Sequence, residues 1–218
     1  FPDPNTGACV QKSYGKNQGL PNCELIAGNP INSGTGEKYH LEHVYDRRGG
    51  GPMNFNLQYT SPQTASNYQP GKWLGKYWLT GYERQLFPNV TNSLTQNATV
   101  VYSRRPNGKM WTYVLQGGGF TSDPDNTDRL ALVKNGSLPS YWLILSAENF
   151  VEKYDYSGKL ISIYSSDGQS ENLSYNGSKL TQITDSFGRS INFIYDTSNR
   201  ILKLTQPDSG EVTFFYDT

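Results

Sequence analysis

The chain has 218 residues, and its 19 basic and 19 acidic side chains cancel to a formal net charge of zero. That balance leaves no electrostatic footprint for nucleic acid, and no apolar run approaches the ~20 residues a membrane-spanning helix needs. Sixteen tyrosines and 22 glycines, together with many Asn, Ser and Thr residues, favour strands and turns over helices. The expectation is an all-β chain of antiparallel hairpins, forming one domain or two small ones. The first residue is Phe1 rather than Met, as expected of a mature or trimmed chain whose signal peptide is out of view.

Residues 1–27 read as an irregular arm, broken by Pro2, Pro4 and Pro21 and by Gly7, Gly15 and Gly19. Cys9 and Cys23 lie in this arm, which has little apolar material to hold it in place. A disulfide between them is therefore expected, stabilising a loop of this size by ~3 kcal/mol in the chain-entropy model, with two free thiols as the alternative. Neither cysteine has a close Cys neighbour, and both histidines are distant, so no metal site is expected here.

Residues 28–148 read as a run of strands separated by glycine and proline turns. Over 37–45 a strand is expected with Tyr39, Leu41, His43 and Tyr45 on one face. His40 and His43 then point apart, which does not suit a shared metal ion. Residues 53–60 form a strand with Phe55, Leu57 and Tyr59 alternating against polar neighbours. The aromatic cluster Trp73, Tyr77, Trp78, joined later by Trp111, is core material in one reading and a glycan-stacking platform in another. Residues 100–102 and 110–115 pair as a hairpin. The acidic loop 123–128 lacks the glycine and glutamate positions of a calcium-binding EF-hand loop and reads as a turn-rich solvated segment. Strands at 131–133 and 141–145 follow.

Residues 149–218 carry an internal repeat. Tyr154, Tyr175, Tyr195 and Tyr216 are 21, 20 and 21 residues apart, and all but Tyr175 are followed directly by Asp. Basic-apolar pairs recur after the turns at Lys159-Leu160, Lys179-Leu180 and Arg200-Ile201. Alternation in Ile191, Phe193, Tyr195 and in Val212, Phe214, Tyr216 marks strands with one buried face. The motif comprises Tyr154, Asp155, Gly158, Tyr175, Tyr195, Asp196, Arg200, Tyr216 and Asp217. It resembles the YD repeat of the RHS family, although Asn176 stands where that pattern has Asp and Gly177 arrives early, implying a shorter turn. Upstream, Gly28-Asn29-Pro30-Ile31-Asn32, Thr35-Gly36-Glu37-Lys38 and Phe55-Asn56-Leu57-Gln58-Tyr59 are similar to the segment that precedes the repeats in bacterial RHS proteins.

What this resemblance implies is the start of an RHS/YD-repeat β-shell: a spiral of hairpins around a hollow space that holds a C-terminal toxin of the same chain before delivery. It implies a secreted or cell-surface protein, with the remainder of its own chain, the toxin and secretion machinery or surface glycans as partners. An adhesin or carbohydrate-binding module is the rival reading. No cofactor, metal or catalytic residue is expected: no Gly-x-Ser-x-Gly or His-Glu-x-x-His pattern occurs, and the repeat aspartates sit at turns where they bond backbone. The last strand, expected over 211–216, is a thinly guarded edge.

Overall fold

The computed structural model describes residues 26–27, 31–32, 38–46, 53–61, 71–89, 98–105 and 107–217. Cys9 and Cys23 lie outside the described residues. Every described element is a strand, and every pairing is antiparallel. Strands β1 (Ile26–Ala27) and β2 (Ile31–Asn32) form a short ribbon. A three-stranded sheet contains β3 (Tyr39–Asp46), β4 (Asn54–Thr60) and β5 (Trp78–Thr80), and a four-stranded sheet contains β6 (Gln85–Pro88), β7 (Val100–Arg104), β8 (Met110–Gln116) and β9 (Gly119–Thr121). The remaining chain is one nine-stranded meander: β10 (Arg129–Asn135), β11 (Leu138–Leu145), β12 (Val151–Asp155), β13 (Leu160–Tyr164), β14 (Ser170–Asn176), β15 (Lys179–Asp185), β16 (Ser190–Tyr195), β17 (Ile201–Thr205) and β18 (Glu211–Thr213).

The meander is built on one turn used repeatedly. In the turn 155–159 the Gly158 N–H donates to the Asp155 carbonyl, and the Asp155 N–H donates to the Lys159 carbonyl. The same pair of bonds closes 146–150, 165–169, 185–189, 196–200 and 206–210. In each, the fourth residue (Asn149, Gly158, Gly168, Gly188, Asn199 or Ser209) has a left-handed φ. This is the three-residue hairpin that ends in a left-handed bulge position. Aspartates cap it, because Asp155 and Asp196 of the motif, and Asp185 beside them, each accept the N–H of the residue four positions on, at 2.8–3.0 Å. The Asn176 turn is shorter, as its sequence implies: Asn176 pairs directly with Lys179, leaving a two-residue loop.

A register shift recurs immediately before the repeat tyrosine, between Lys153 and Tyr154, Ser174 and Tyr175, and Ile194 and Tyr195. Each places an extra residue on the following strand, which bends the sheet and increases its twist. The tyrosines then form a ladder. Tyr175, Tyr195 and Tyr216 donate their hydroxyls to the carbonyls of Leu160, Leu180 and Ile201 at 2.8, 2.9 and 2.6 Å. Over each ring lies the basic residue of the preceding unit: Lys159 at 5.0 Å, Lys179 at 5.4 Å and Arg200 at 4.0 Å. Successive units are thus locked by one hydrogen bond and one cation–π contact.

The inward face of the meander carries Trp142, Ile144, Tyr154, Leu160, Leu180, Ile183, Ile191, Ile201 and Leu204, all buried. They belong to one core with Phe55, Leu86, Val101 and Tyr113 of the two smaller sheets. The outward face mixes polar pairs, Ser162 with Asn172 and Gln182 with Asn192 across strands, with exposed apolar side chains such as Leu145, Ile194 and Leu202. Two sequence expectations change. A bulge between His43 and Tyr45 puts Tyr45 opposite Phe55, so Tyr45 leaves the face shared by Tyr39, Leu41 and His43, because the extra residue reverses the alternation. The last strand stops at Thr213, although the Phe214 N–H still reaches the Leu202 carbonyl.

The smaller sheets join the meander at its turns. The Leu86 N–H donates to the Gly158 carbonyl at 2.9 Å, Gln85 bridges Lys159, and the Ile201 N–H donates to the Trp73 carbonyl at 2.7 Å. A Cβ on Gly158 would stand 2.1 Å from the Leu86 carbonyl oxygen, whereas one on Gly168 would meet nothing within 4 Å. Both glycines have positive φ, at 90° and 83°. Gly168→Ala is therefore expected to cost only the left-handed strain, ~1–2 kcal/mol. Gly158→Ala should cost clearly more, because the anchor to Leu86 must also open. Urea unfolding of both variants checks this, and equal losses would show that the anchor contributes nothing.

Candidate functional site

The most distinctive chemistry in the fold is a buried ionic cluster where the four-stranded sheet meets the meander. Glu152, fully buried on β12, faces inward because it lies two residues from the inward Tyr154. Arg105 follows β7 and holds Glu152 with two bonds, Nη1 to Oε2 at 2.6 Å and Nη2 to Oε1 at 3.0 Å. Arg84 precedes β6 and donates to Oε1, and the Tyr154 hydroxyl donates to Oε2 at 2.6 Å. Arg105 also pairs through Nε with Asp128 at 3.1 Å, and Asp128 accepts the Ala147 N–H.

Burial opposes the charge on Glu152, but Arg84 and Arg105 beside it hold its carboxyl down to about 2. Arg105 is likewise desolvated, yet Glu152 raises it above the ordinary guanidinium range. The Tyr154 phenol is pushed well up by burial and by the adjacent carboxylate. Four donors occupy the four lone-pair positions of Glu152. Such a carboxylate has no room to exchange a proton or ligate an ion; it ties two arginines that flank strands of one sheet to a strand of another.

The inward row continues across the sheet as Glu152, Ile163, Glu171 and Asp185. Glu171 and Asp185 are direct cross-strand partners, an arrangement that repels unless each acid has its own donor. Asp185 is held by Arg189 and two backbone N–H groups, and despite its burial its carboxyl stays below the usual range. Glu171 is hydrogen-bonded by Tyr82, whose phenol is driven upward by burial and by that carboxylate. A fourth buried acid, Glu83, accepts the N–H groups of Lys72, Trp73 and Thr80 and so folds the 71–83 loop. Burial pushes Glu83 up, against the pull of Arg104 and those amides.

The aromatic residues read as a glycan platform each have contacts of their own. Trp73 is buried, lies 6.4 Å from Tyr175 and donates its indole N–H to the Ser178 carbonyl. Trp111 is buried in the four-stranded sheet beneath Lys109. Tyr77 sits beside Lys76, and Trp78 packs against Tyr59 and His40. Of the repeat motif, Tyr154 leaves the ladder for Glu152, Asp155 and Asp196 cap turns, and Asp217 is exposed.

Sequence reasoning passed over Glu152, Glu171, Arg84 and Arg105. A signal was present: Glu152 and Glu171 lie two and four residues before a repeat tyrosine, on the side of the strand that must face the core. Nothing in the sequence marks which basic residues meet them. Residues 28–113 match a family model described as a domain of unknown function, DUF6531. The match includes Arg84 and Arg105 but ends before Glu152, so the ionic cluster joins the matched segment to the rest of the chain. Among curated proteins, no relative matches the chain.

Glu152→Gln leaves the buried Arg105 with Asp128 as its remaining counter-charge and the part-buried Arg84 short of one, and is expected to cost ~3–5 kcal/mol near neutral pH. The folded carboxyl lies at about 2 against 4.5 for the free group. Its contribution is therefore complete above pH 4.5 and is lost as pH falls toward 2. Denaturation midpoints measured across this window should fall in the parent chain and stay flatter in Glu152→Gln. Parallel acid limbs would refute the assignment.

Proposed function

We propose that this chain is the non-catalytic, end-closing part of an RHS/YD-repeat β-shell, which helps to enclose and deliver a C-terminal toxin of the same protein. The carrying observation is the ladder of the meander, in which one turn type recurs, a bulge precedes Tyr154, Tyr175 and Tyr195, and Tyr175, Tyr195 and Tyr216 each bond the unit before. Such an array extends by adding identical units, each contacting its neighbour. The closing role draws support from the inner face: Phe55 lies 5.1 Å from Phe193, Trp73 packs on Tyr175, and Arg84 and Arg105 reach Glu152. The smaller sheets thus lie across the face that would otherwise line a hollow.

In this reading the protein is secreted or displayed at the cell surface, and its partners are the rest of its own chain, the toxin and the machinery that exports it. It needs no cofactor. A non-catalytic role accords with a buried carboxylate saturated by donors and with repeat aspartates committed to turns. Cys9 and Cys23 would pair in an oxidising compartment.

Strand β18 pairs with β17 and is the edge of the sheet. Appending copies of the unit 196–216 is expected to raise hydrogen-exchange protection at residues 214–216 and to reduce any self-association seen by sedimentation. An unfolded extension with unchanged protection would overturn the array reading. Incubation with peptides, nucleic acids and oligosaccharides should give no turnover, and activity abolished by Asp196→Ala would refute the non-catalytic role.

A further inference from the structure

A small cleft opens where the start of the 71–83 loop meets the turn 155–159, beside Gln85 of β6. It encloses about 100 Å³, well under the ~300–1,000 Å³ of sites that hold a whole small molecule. A space of this size takes one ionic group. Its lining is basic: among the described residues Lys72, Arg84, Arg104 and Lys159 face a single acid, Glu83.

These charges do not cancel. Arg84 is committed to Glu152. Glu83 turns its carboxylate to the N–H groups of Lys72, Trp73 and Thr80, and its carbonyl accepts Arg104 Nε at 2.7 Å. Asp155 does not line the cleft, and its Oδ1 accepts the Ser157 hydroxyl and the Lys159 N–H. Lys72, Arg104 and Lys159 are thus set against one carboxylate. Neither lysine makes an ion pair: Lys72 Nζ donates to Gln85 Oε1 at 3.3 Å, and Lys159 Nζ donates to the Gly177 carbonyl at 3.0 Å. An ammonium carries three donors, so each lysine has two more to offer. Gln85 holds the two together, since its side chain takes Lys72 and its backbone bridges Lys159.

The excess of positive charge acts on Lys72 itself. Burial and the Arg104 guanidinium hold its ammonium below the ordinary lysine range, against the opposing pull of Glu83. A cleft lined by charge of one sign and walled by buried groups such as Trp73 and Leu160 concentrates counter-ions. Two uncompensated cations match a doubly charged anion better than a carboxylate, and a phosphoryl group carries nearly two charges and three acceptor oxygens.

We propose that this cleft binds a phosphoryl dianion, as free phosphate or as the head of a phosphomonoester, held by the ammonium groups of Lys72 and Lys159. The rest of a larger ligand stays in solvent beyond Lys72, which is exposed. The assignment does not rest on the shell reading, and either can fail without the other.

The 218-residue chain, titrated calorimetrically with inorganic phosphate near neutral pH, is expected to saturate with a Kd of ~1 mM or tighter at low salt and to bind more weakly as potassium chloride is added. Glycerol 3-phosphate and phosphatidylcholine vesicles with and without phosphatidic acid separate the sources. Saturation by glycerol 3-phosphate without sedimentation on either vesicle marks a soluble phosphomonoester; sedimentation on the phosphatidic acid vesicles alone marks a lipid headgroup. Lys72→Gln and Lys159→Gln should each weaken phosphate binding about tenfold or more, with the circular dichroism spectrum unchanged. Lys159 also covers the Tyr175 ring, so Lys72→Glu carries the test if Lys159→Gln unfolds, and it should abolish binding. Lys134→Gln, at an exposed lysine outside the cleft, should bind as the parent does. The proposal is overturned if phosphate does not saturate, if acetate binds as tightly, if the Lys72 variants bind like the parent, or if Lys134→Gln weakens binding as much as they do.

Discussion

The structure depends on one constraint: a carboxylate buried completely inside a β protein must be given its counter-charges by the chain that surrounds it. Glu152 receives them from Arg84 and Arg105, which flank strands of a different sheet. Neither half is comfortable without the other, since an unpaired buried ion costs several kcal/mol. A neutral, well-packed seam would hold two sheets together as tightly, but it would tolerate sliding. Four donors converging on one carboxylate define a single register.

Around this latch the molecule uses two different means of cohesion. Within the meander, cohesion is local and repeated: hairpin turns with a left-handed fourth residue, a bulge before Tyr154, Tyr175 and Tyr195, and a hydroxyl bonded to the preceding unit from Tyr175 onward. Between the smaller sheets and the meander, cohesion is long-range and unrepeated. It comprises the Gly158 and Trp73 backbone anchors, the Glu83 clamp on the 71–83 loop, and the apolar contact of Phe55 with Phe193. Tyr154 stands where the two meet. It occupies the first place in the tyrosine series but gives its hydroxyl to Glu152 instead of to a preceding carbonyl, so the ladder begins where the latch ends.

This division explains why the inner face of the first units is dry. Leu160, Leu180, Ile191 and Ile201 are all buried, and the smaller sheets supply the cover. The outer face needs none, because Ser162, Asn172, Gln182 and Asn192 satisfy one another across the strands. Curvature and a covered inner side are what the proposed role as a closing wall requires.

The sequence by itself determined what depends on near neighbours. Period-two alternation, glycine or asparagine at the reversals and the recurrent tyrosine specify strands, turns and their order, because hairpin pairing and turn conformation are settled within about ten residues. Even the short turn at Asn176-Gly177 was legible. The bulge at His43, by contrast, changed the face of Tyr45, since one inserted residue leaves the hydrophobic pattern nearly intact while reversing its phase. Only the tertiary structure decided which side of the meander would be covered and which cations would meet Glu152. Arg84 and Arg105 lie 68 and 47 residues from it, and no local pattern specifies a partner at that distance; the choice belongs to the packing of whole sheets, where a buried charge can be satisfied only by what the fold brings to it.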